Sequence, residues 1–183
     1  MKNLIIVLLV MIFSLASTTS QAQTKRLDVA DNIPENIILK NQLGEGADLN
    51  SLYGDKGMVM VFYRSAAWCP YCQAQLINLK AYQDDIEAKG YNIVAISYDA
   101  VEELKKFSDK RKISFPLLSD ANSETIKAFG ILNEEHEVGS FAYGVPHPAV
   151  YVVNKDGSIK GVLHEDGYKK RPEVSAILEV IEK

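Results

Sequence analysis

Apolar residues occur along the chain in short continuous runs that alternate with stretches of helical spacing. Runs with the length of buried strands lie at residues 58–63, 91–97 and 149–153. A shorter apolar stretch at 36–40 predicts a further strand. Residues 154–157 have Asp-Gly at their centre and precede an apolar run at 158–163, so we expect the sheet to end in a β-hairpin.

Four segments carry apolar residues at the three- and four-residue spacing of an amphipathic helix. The first segment begins at Cys69 or Pro70 and ends at Lys89. The second and third cover 101–112 and 123–129, and the fourth runs from Arg171-Pro172 towards the C-terminus. Gly90 and Gly130 follow the first and third segments, as expected at helix ends. Strands that alternate with helices predict an α/β domain with a central mixed, largely parallel sheet flanked by helices.

The first 22 residues have the pattern of a secretory signal peptide. Lys2 is followed by an unbroken apolar run at 4–13, which is well short of the ~20 residues that span a bilayer. Small residues, Ser20 and Ala22, favour a cut after Ala22. An uncleaved signal anchor is the alternative, and it is the only membrane attachment that we predict. The chain then divides into a signal peptide at 1–22, an N-terminal arm at 23–35 and one domain at 36–183.

Composition fits one exported globular domain. The chain has 183 residues, of which 47% are hydrophobic, enough for one compact core. Its formal net charge is −4, and loss of Lys2 with the leader makes the mature chain more acidic, which argues against a nucleic-acid partner. We expect the protein in the periplasm or outside the cell, where thiols tend to oxidise.

Both cysteines, Cys69 and Cys72, lie in the segment Trp-Cys-Pro-Tyr-Cys at residues 68–72. A disulfide across so short a loop constrains the unfolded chain very little, which favours a reactive pair over a structural one. Cys69 stands at a helix start, where unpaired backbone N–H groups and the helix dipole lower a thiol pKa. Pro70 suits the first helical position. We therefore expect Cys69 to attack a substrate sulfur and Cys72, one turn later, to resolve the mixed disulfide.

Zinc binding is the alternative use of the two cysteines. A structural zinc site needs four ligands, which His136, His147 and His164 could help to supply. Trp68, directly before the pair, is expected to pack against the disulfide and, with Tyr71, to shape a substrate surface. If the two cysteines do not bind zinc, the sequence implies no metal and no organic cofactor.

The order strand, Trp-Cys-x-x-Cys, helix, and later a proline before a strand and hairpin resembles the thioredoxin superfamily, over nearly all of residues 36–183. Within it, the segments at 62–76, 94–99, 115–120 and 129–131 resemble the peroxiredoxin-like branch of alkyl hydroperoxide reductases and thiol-specific antioxidants. The resemblance implies a thioredoxin-like fold and redox-active thiols. It also implies a cis proline facing the cysteines, for which Pro148 matches better than Pro146.

The chain departs from the peroxide-attacking motif of that branch, Pro-x-x-x-Thr-x-x-Cys with a later Arg. If Cys72 takes the peroxide-attacking position, Cys69 falls where the Thr should be, and Arg64 or Ser65 falls near the Pro. Arg171 precedes a helix-starting proline, which favours a solvated surface position over the site. Arg64, after a buried strand, and His147, before Pro148, are further candidates for tuning the thiols.

The main functional hypothesis is a thiol-disulfide oxidoreductase that maintains cell redox balance through the Cys69–Cys72 pair, acting on protein thiols or disulfides. The first alternative is a peroxiredoxin-like thiol peroxidase that acts as an antioxidant on a peroxide. The second is a metal-binding or protein-interaction module with ligating cysteines. Either redox function needs a redox partner that the sequence does not identify.

We predict that the mature exported chain begins at Gln23, because cleavage should follow Ala22. Intact-mass measurement of the protein from a periplasmic extract should show the loss of residues 1–22. A chain that retains Met1 and fractionates with membranes would instead establish the signal anchor.

Overall fold

The apolar runs of the sequence form the centre of a seven-stranded mixed sheet. The computed structural model describes residues 25–167 and 169–183, so the predicted signal peptide lies outside the described residues. The strands are β1 (Ile38–Asn41), β2 (Gly46–Asp48), β3 (Gly57–Phe62), β4 (Tyr91–Ser97), β5 (Leu117–Ser119), β6 (Ala149–Asn154) and β7 (Ile159–Leu163). The helices are α1 (Pro70–Ala81), α2 (Gln83–Ala88), α3 (Val101–Arg111), α4 (Glu124–Ala128) and α5 (Val174–Glu182), with a 3-10 turn at Leu49–Leu52.

The strand order β2-β1-β5-β4-β3-β6-β7 places β3 near the middle of the sheet. Strand β3 pairs in parallel with β4 and antiparallel with β6, and β4 pairs in parallel with β5. Its last residue, Phe62, is opposite Ile96 on one side and Ala149 on the other. The carboxyl ends of three parallel strands and the start of β6 therefore meet at one edge, where ligand sites of α/β sheets commonly form.

Alternate residues of β3 point to opposite faces of the sheet and supply two separate cores. Val59 and Val61 face the core formed with α1, α2, α3 and α5, and that core also contains both cysteines. Met60 and Phe62 face a second core formed with α4 and the N-terminal arm. Because every residue of β3 is buried, the sequence of the strand is a continuous apolar run and does not alternate between apolar and polar residues.

The predicted α/β class and the C-terminal hairpin are confirmed, and several element boundaries are corrected. The helix expected to continue to Lys89 is broken at Tyr82, where the backbone leaves the helical region at φ −111° and ψ 12°. Tyr82 is also 42% exposed, so it is not part of the buried face of the helix. The last helix begins at Val174, after the predicted Arg171-Pro172 start.

Two short strands, β2 and β5, were not predicted as strands. Each has only three residues, too few to show a periodic pattern. The N-terminal arm is attached to the domain, since backbone N–H groups of Leu27, Ala30 and Ile33 donate to carbonyls of Phe129, Ile159 and Gly157. Within the described residues, no helix is long and apolar enough to cross a membrane.

Leu76 and Ile77 provide a matched test of how α1 is anchored. Leu76 is fully buried in the core that contains the cysteines, whereas its neighbour Ile77 is 39% exposed. We expect Leu76→Ala to lower the free energy of unfolding by about 2–5 kcal/mol through cavity formation. Ile77→Ala should change it by about 0.5 kcal/mol. Urea unfolding of both variants measures the difference, and equal effects would contradict this packing.

Candidate active site

The cysteine pair lies at the carboxyl edge of the sheet, at the start of α1. Cys69 is the N-cap residue, with extended backbone at φ −94° and ψ 105°, and Pro70 is the first helical residue. The two cysteines form a disulfide with their Cα atoms 5.3 Å apart. The predicted arrangement of an N-terminal cysteine, a helix-starting proline and a second cysteine one turn later is thus present.

Both cysteines are buried. Cys69 is 2% exposed and Cys72 is fully buried. The backbone N–H of Cys72 donates to Sγ of Cys69 at 3.3 Å, so one unpaired donor of the helix N-terminus points at that sulfur. This geometry stabilises a thiolate on Cys69 whenever the disulfide is opened.

Arg171 lies against the pair, which corrects the expectation that it is a surface residue. Its Nη2 is 3.2 Å from Sγ of Cys72 and 3.9 Å from Sγ of Cys69. Burial, together with the nearby positive charge of Arg64, lowers the pKa of Arg171 to about 10. The proline at 172 suggested a solvated helix start, but α5 begins two residues later and Arg171 belongs to the preceding loop, which folds back over the cysteines.

Arg64 is a second buried cation near the pair, as the sequence suggested. It is only 7% exposed, and its Nη2 lies 3.3 Å from Nε2 of His136. Its guanidinium group stacks on the ring of Trp68 at 5.0 Å from the centroid. Arg171, in contact with the sulfurs, creates a positive potential that favours thiolates and other anions there, and the charge of Arg64 acts on Arg171.

Trp68 joins the cysteine loop to two other segments. Its indole N–H donates to the Tyr98 hydroxyl at 3.0 Å, and that hydroxyl donates to the Phe141 carbonyl at 2.7 Å. The rings of Trp68 and Phe141 meet edge to face with centroids 5.3 Å apart. Phe141 is 76% exposed, so the aromatic surface beside the disulfide is partly open to solvent.

Asp99 supports the loop before Cys69, a role that the sequence did not reveal. Its carboxylate, 3% exposed, accepts hydrogen bonds from the Ser65 hydroxyl at 2.7 Å, the Ala66 N–H at 2.6 Å and the Ser97 hydroxyl at 3.0 Å. Ser65 Oγ in turn accepts from the N–H groups of Ala67 and Trp68. Burial raises the pKa of Asp99, and the three hydrogen bonds oppose that shift. The carboxylate therefore fixes the backbone that presents Cys69.

An open cleft of about 580 Å³ lies between α1 and the loop that carries Arg171, and the two cysteines are not among the residues that line it. One wall comes from α1 and includes Tyr71 and Gln75, which precede and follow Cys72 on the helix. The other wall comes from residues 165 and 169–174 and includes Arg171. Tyr71 is 40% exposed, so this predicted site-shaping residue lies at the opening.

The proline expectation is wrong, because the described residues contain no cis peptide bond. Pro146 pairs with Leu132 in an antiparallel bridge, and the His147 N–H donates to the Ile131 carbonyl at 2.7 Å. These contacts hold the segment before β6 extended with trans bonds. Pro148 still precedes Ala149, opposite the end of β3.

The charged groups that act on His147 belong to residues other than the cysteine pair. Partial burial lowers the pKa of His147, and the charges acting on it belong to Glu135, Arg26, Glu134 and His136. No hydrogen bond of the described residues joins its side chain to Cys69 or Cys72. Among residues 25–167 and 169–183, no three His, Cys, Asp or Glu side chains cluster closely enough to hold a metal ion. His136, a candidate zinc ligand, contacts Arg64 instead.

Comparisons with known proteins agree with this architecture. A family model described as the AhpC/TSA family matches residues 29–162. Peroxiredoxin Bcp of Escherichia coli (strain K12) is 29% identical over 136 residues, which are 74% of this chain and 85% of that protein. The crystal structure of peroxidoxin BcpB from Mycobacterium tuberculosis has a TM-score of 0.74 at 22% identity and covers 86% of this chain and 97% of that one. Peroxiredoxin Q of Xanthomonas campestris has a TM-score of 0.69 at 19% identity, covering 88% and 98%.

Replacing Asp99 with Asn should destabilise the protein and disturb the cysteine loop, because an amide cannot accept from all three donors. We expect a loss of about 1–3 kcal/mol in the free energy of unfolding. The pKa of Asp99 is raised in the folded state, so its ionisation favours the unfolded state as pH rises above about 4. The stability advantage of the wild type over Asp99→Asn should therefore be largest below pH 4 and shrink towards neutral pH.

Asp120→Asn is the matched control. Asp120 is 4% exposed and accepts backbone N–H groups of Thr125 and Ile126 at the start of α4. We expect both variants to lose stability, but only Asp99→Asn should change Trp68 fluorescence and the alkylation rate of the reduced thiols. Equal changes in both variants would exclude a specific support of the cysteine loop.

Proposed function

The chain belongs to the AhpC/TSA family and is a redox enzyme with a thioredoxin-like fold, and from that premise we propose that it is a thiol peroxidase. The contact between Arg171 and Cys72 carries the proposal, because it places a fixed cation on one thiol of the pair. The E. coli relative is a peroxiredoxin by name. This proposal replaces dithiol-disulfide exchange as the first hypothesis.

Cys72 is the peroxide-attacking thiol in this proposal. Arg171 is closer to Sγ of Cys72, at 3.2 Å, than to Sγ of Cys69, at 3.9 Å. The cleft is lined by Tyr71 and Gln75, which precede and follow Cys72 on α1, and by Arg171. The resemblance of residues 62–76 also puts Cys72 on the peroxide-attacking position. Cys69, at the Thr position of the motif, becomes the resolving thiol.

The reaction then proceeds in two balanced steps. The Cys72 thiolate attacks the terminal oxygen of ROOH, the O–O bond breaks, and the products are a Cys72 sulfenic acid and RO⁻, which takes a proton to become ROH. The Cys69 thiolate next attacks Sγ of Cys72, and hydroxide leaves as water after taking a proton. The disulfide seen between these cysteines is the product of that second step. Arg171 stabilises the thiolate and the negative charge that develops on the peroxide oxygen.

Burial of the pair favours a small oxidising substrate over a protein. With Cys69 at 2% and Cys72 at 0% exposure, a protein disulfide cannot reach either sulfur without a rearrangement. A hydroperoxide group is only two oxygen atoms long, and the cleft of about 580 Å³ has room for its organic part.

Cysteine variants test the assignment. Cys72→Ser should abolish peroxide consumption by the reduced protein. Cys69→Ser should consume one equivalent of peroxide per chain and accumulate a sulfenic acid on Cys72, detected by its dimedone adduct. The proposal fails if the wild type reacts with hydroperoxide no faster than free cysteine does.

Arg171→Gln should slow peroxide consumption about ten- to hundredfold, as expected for the loss of a charged hydrogen bond worth about 1.5–3 kcal/mol. The rate of peroxide consumption by Arg171→Lys should lie between those of the wild type and Arg171→Gln, because lysine keeps the charge without the planar guanidinium group. Arg111→Gln, on the exposed end of α3, is the matched control and should have no effect. A wild-type rate in Arg171→Gln would remove the cation from the mechanism.

Dithiol-disulfide exchange with protein thiols remains the second candidate. One observation favours it: the helix N-terminus donates to Cys69, the cysteine that would attack in such an exchange. Reduction of insulin by the dithiol form measures this activity. Covalent partners trapped by Cys72→Ser but not by Cys69→Ser would favour exchange, and the opposite pattern would favour the peroxidase assignment of Cys72.

A further inference from the structure

The two cysteines are not held equally once their disulfide is open. Cys72 is the third residue of α1 and is fixed within the helix, whereas Cys69 is the N-cap residue and has extended backbone. Cys69 is therefore the sulfur with more freedom in the dithiol form. The ease of closing the disulfide depends on how well Cys69 is kept beside Cys72, because a group already in place loses less entropy when the bond forms.

The backbone of the loop before the pair is held more firmly before Trp68 than at Trp68. Gln73 Nε2 donates to the carbonyls of Ala66 and Ala67, at 2.7 and 3.3 Å. The backbone N–H of Trp68 donates to Ser65 Oγ at the longer distance of 3.3 Å. A second restraint on the residue next to Cys69 comes from its indole ring.

The Tyr98 hydroxyl holds that ring through both of its hydrogen-bonding roles. It accepts from the indole N–H of Trp68 at 3.0 Å and donates to the Phe141 carbonyl at 2.7 Å. Burial raises the pKa of Tyr98, so the hydroxyl keeps its proton and donates at neutral pH. The Phe141 ring packs edge to face on Trp68, although it is 76% exposed.

Tyr98 is itself fixed to the sheet. It directly follows β4, between Ser97 and Asp99. Ser97 pairs with Ser119 of β5, and the Asp99 carboxylate accepts from the Ala66 N–H at 2.6 Å. Because both neighbours of Tyr98 are held, its hydroxyl is a fixed point relative to the sheet.

We propose that Tyr98 is a positioning residue for Cys69: its hydroxyl holds Trp68 and thereby keeps Cys69 beside Cys72 while the disulfide is open. Closure is the second step of the proposed peroxidase cycle, so the role of Tyr98 in catalysis rests on the proposed function. A slower closure leaves the Cys72 sulfenic acid open to a second ROOH, which transfers one oxygen to give the sulfinic acid and ROH.

The equilibrium between the dithiol and disulfide forms tests the inference without peroxide. The protein is equilibrated with reduced and oxidised glutathione. Formation of the Cys69–Cys72 disulfide passes two electrons and two protons to oxidised glutathione and gives two molecules of the reduced form. After acid quenching and alkylation, mass spectrometry measures both forms of the protein.

Tyr98→Phe removes only the hydroxyl and should lower the equilibrium constant for disulfide formation about three- to tenfold, the scale of one hydrogen bond. The dithiol form of the variant gains freedom at Cys69 that the disulfide form does not. A hydroxyl with only a structural role would stabilise both redox forms equally, and its loss would leave the constant unchanged.

Trp68→Phe removes the same hydrogen bond from the other side and keeps an aromatic ring. It should also lower the constant, and adding Tyr98→Phe to it should change the constant by less than about twofold, because the bond is already absent. Tyr151→Phe is the matched control. It removes a hydroxyl that donates to the Leu27 carbonyl at 3.5 Å beside the second core. It should lower stability in urea and keep the wild-type constant.

Three results would overturn the inference: an unchanged constant in Tyr98→Phe, an equal fall in Tyr151→Phe, or a full effect of Tyr98→Phe in the Trp68→Phe background. Circular dichroism and urea unfolding of both redox forms establish that each variant is folded. If Tyr98→Phe does not fold, an unchanged constant in Trp68→Phe overturns the inference alone. Peroxide consumption is measured separately, so failure here is distinct from failure of the peroxidase proposal.

Discussion

The hydrogen-bonded ladder that holds β3 between β4 and β6 is the constraint on which the site depends. Every residue of β3 from Gly57 to Phe62 is paired on both sides and buried on both faces. The chain therefore leaves the sheet at one fixed point and in one direction. Everything that follows Phe62 starts from a rigid support, which is the condition for placing two sulfurs and a cation within a few ångströms of one another.

A second layer of order comes from polar contacts at the same edge. Strand β4 ends beside β3, and Asp99 just beyond it holds the loop that follows β3. A buried carboxylate near a thiol pair would by itself oppose thiolate formation. In this site Asp99 accepts hydrogen bonds from backbone and hydroxyl groups, while the side chain in contact with the sulfurs is the cation Arg171. The carboxylate thus supports the structure of the loop, and the charge that lies next to the sulfurs is positive.

Much of the fold followed from the sequence because the central strands are long apolar runs and the Cys-Pro-Tyr-Cys segment marks a helix start. The prediction of the pair's geometry needed only local rules, which apply because Cys69, Pro70 and Cys72 lie within one turn. Arg171 was assigned to the surface because its contact spans 99 residues of sequence, and local patterns cannot report such a contact.

The other misses have the same origin. Asp99 supports residues more than thirty positions earlier in the chain, and its sequence context shows only an acidic residue after a strand. The cis-proline expectation came from the family resemblance, whereas bridges between residues 131–133 and 145–147 determine the backbone of this segment. Strands of three residues, such as β5, are defined by their partners and not by their own periodicity.

The cysteine pair is part of the main core and not an attachment at its surface, since Cys72 packs in the same cluster as Val61, Leu76 and Ile177. Opening the disulfide therefore alters a packed interior. By the closure of a thermodynamic cycle, any difference in stability between the oxidised and the reduced protein equals the difference in reduction free energy between the folded and the unfolded chain. The packing around Cys72 consequently helps to set the reduction potential of the pair, even where the neighbouring side chains carry no charge and never touch a substrate.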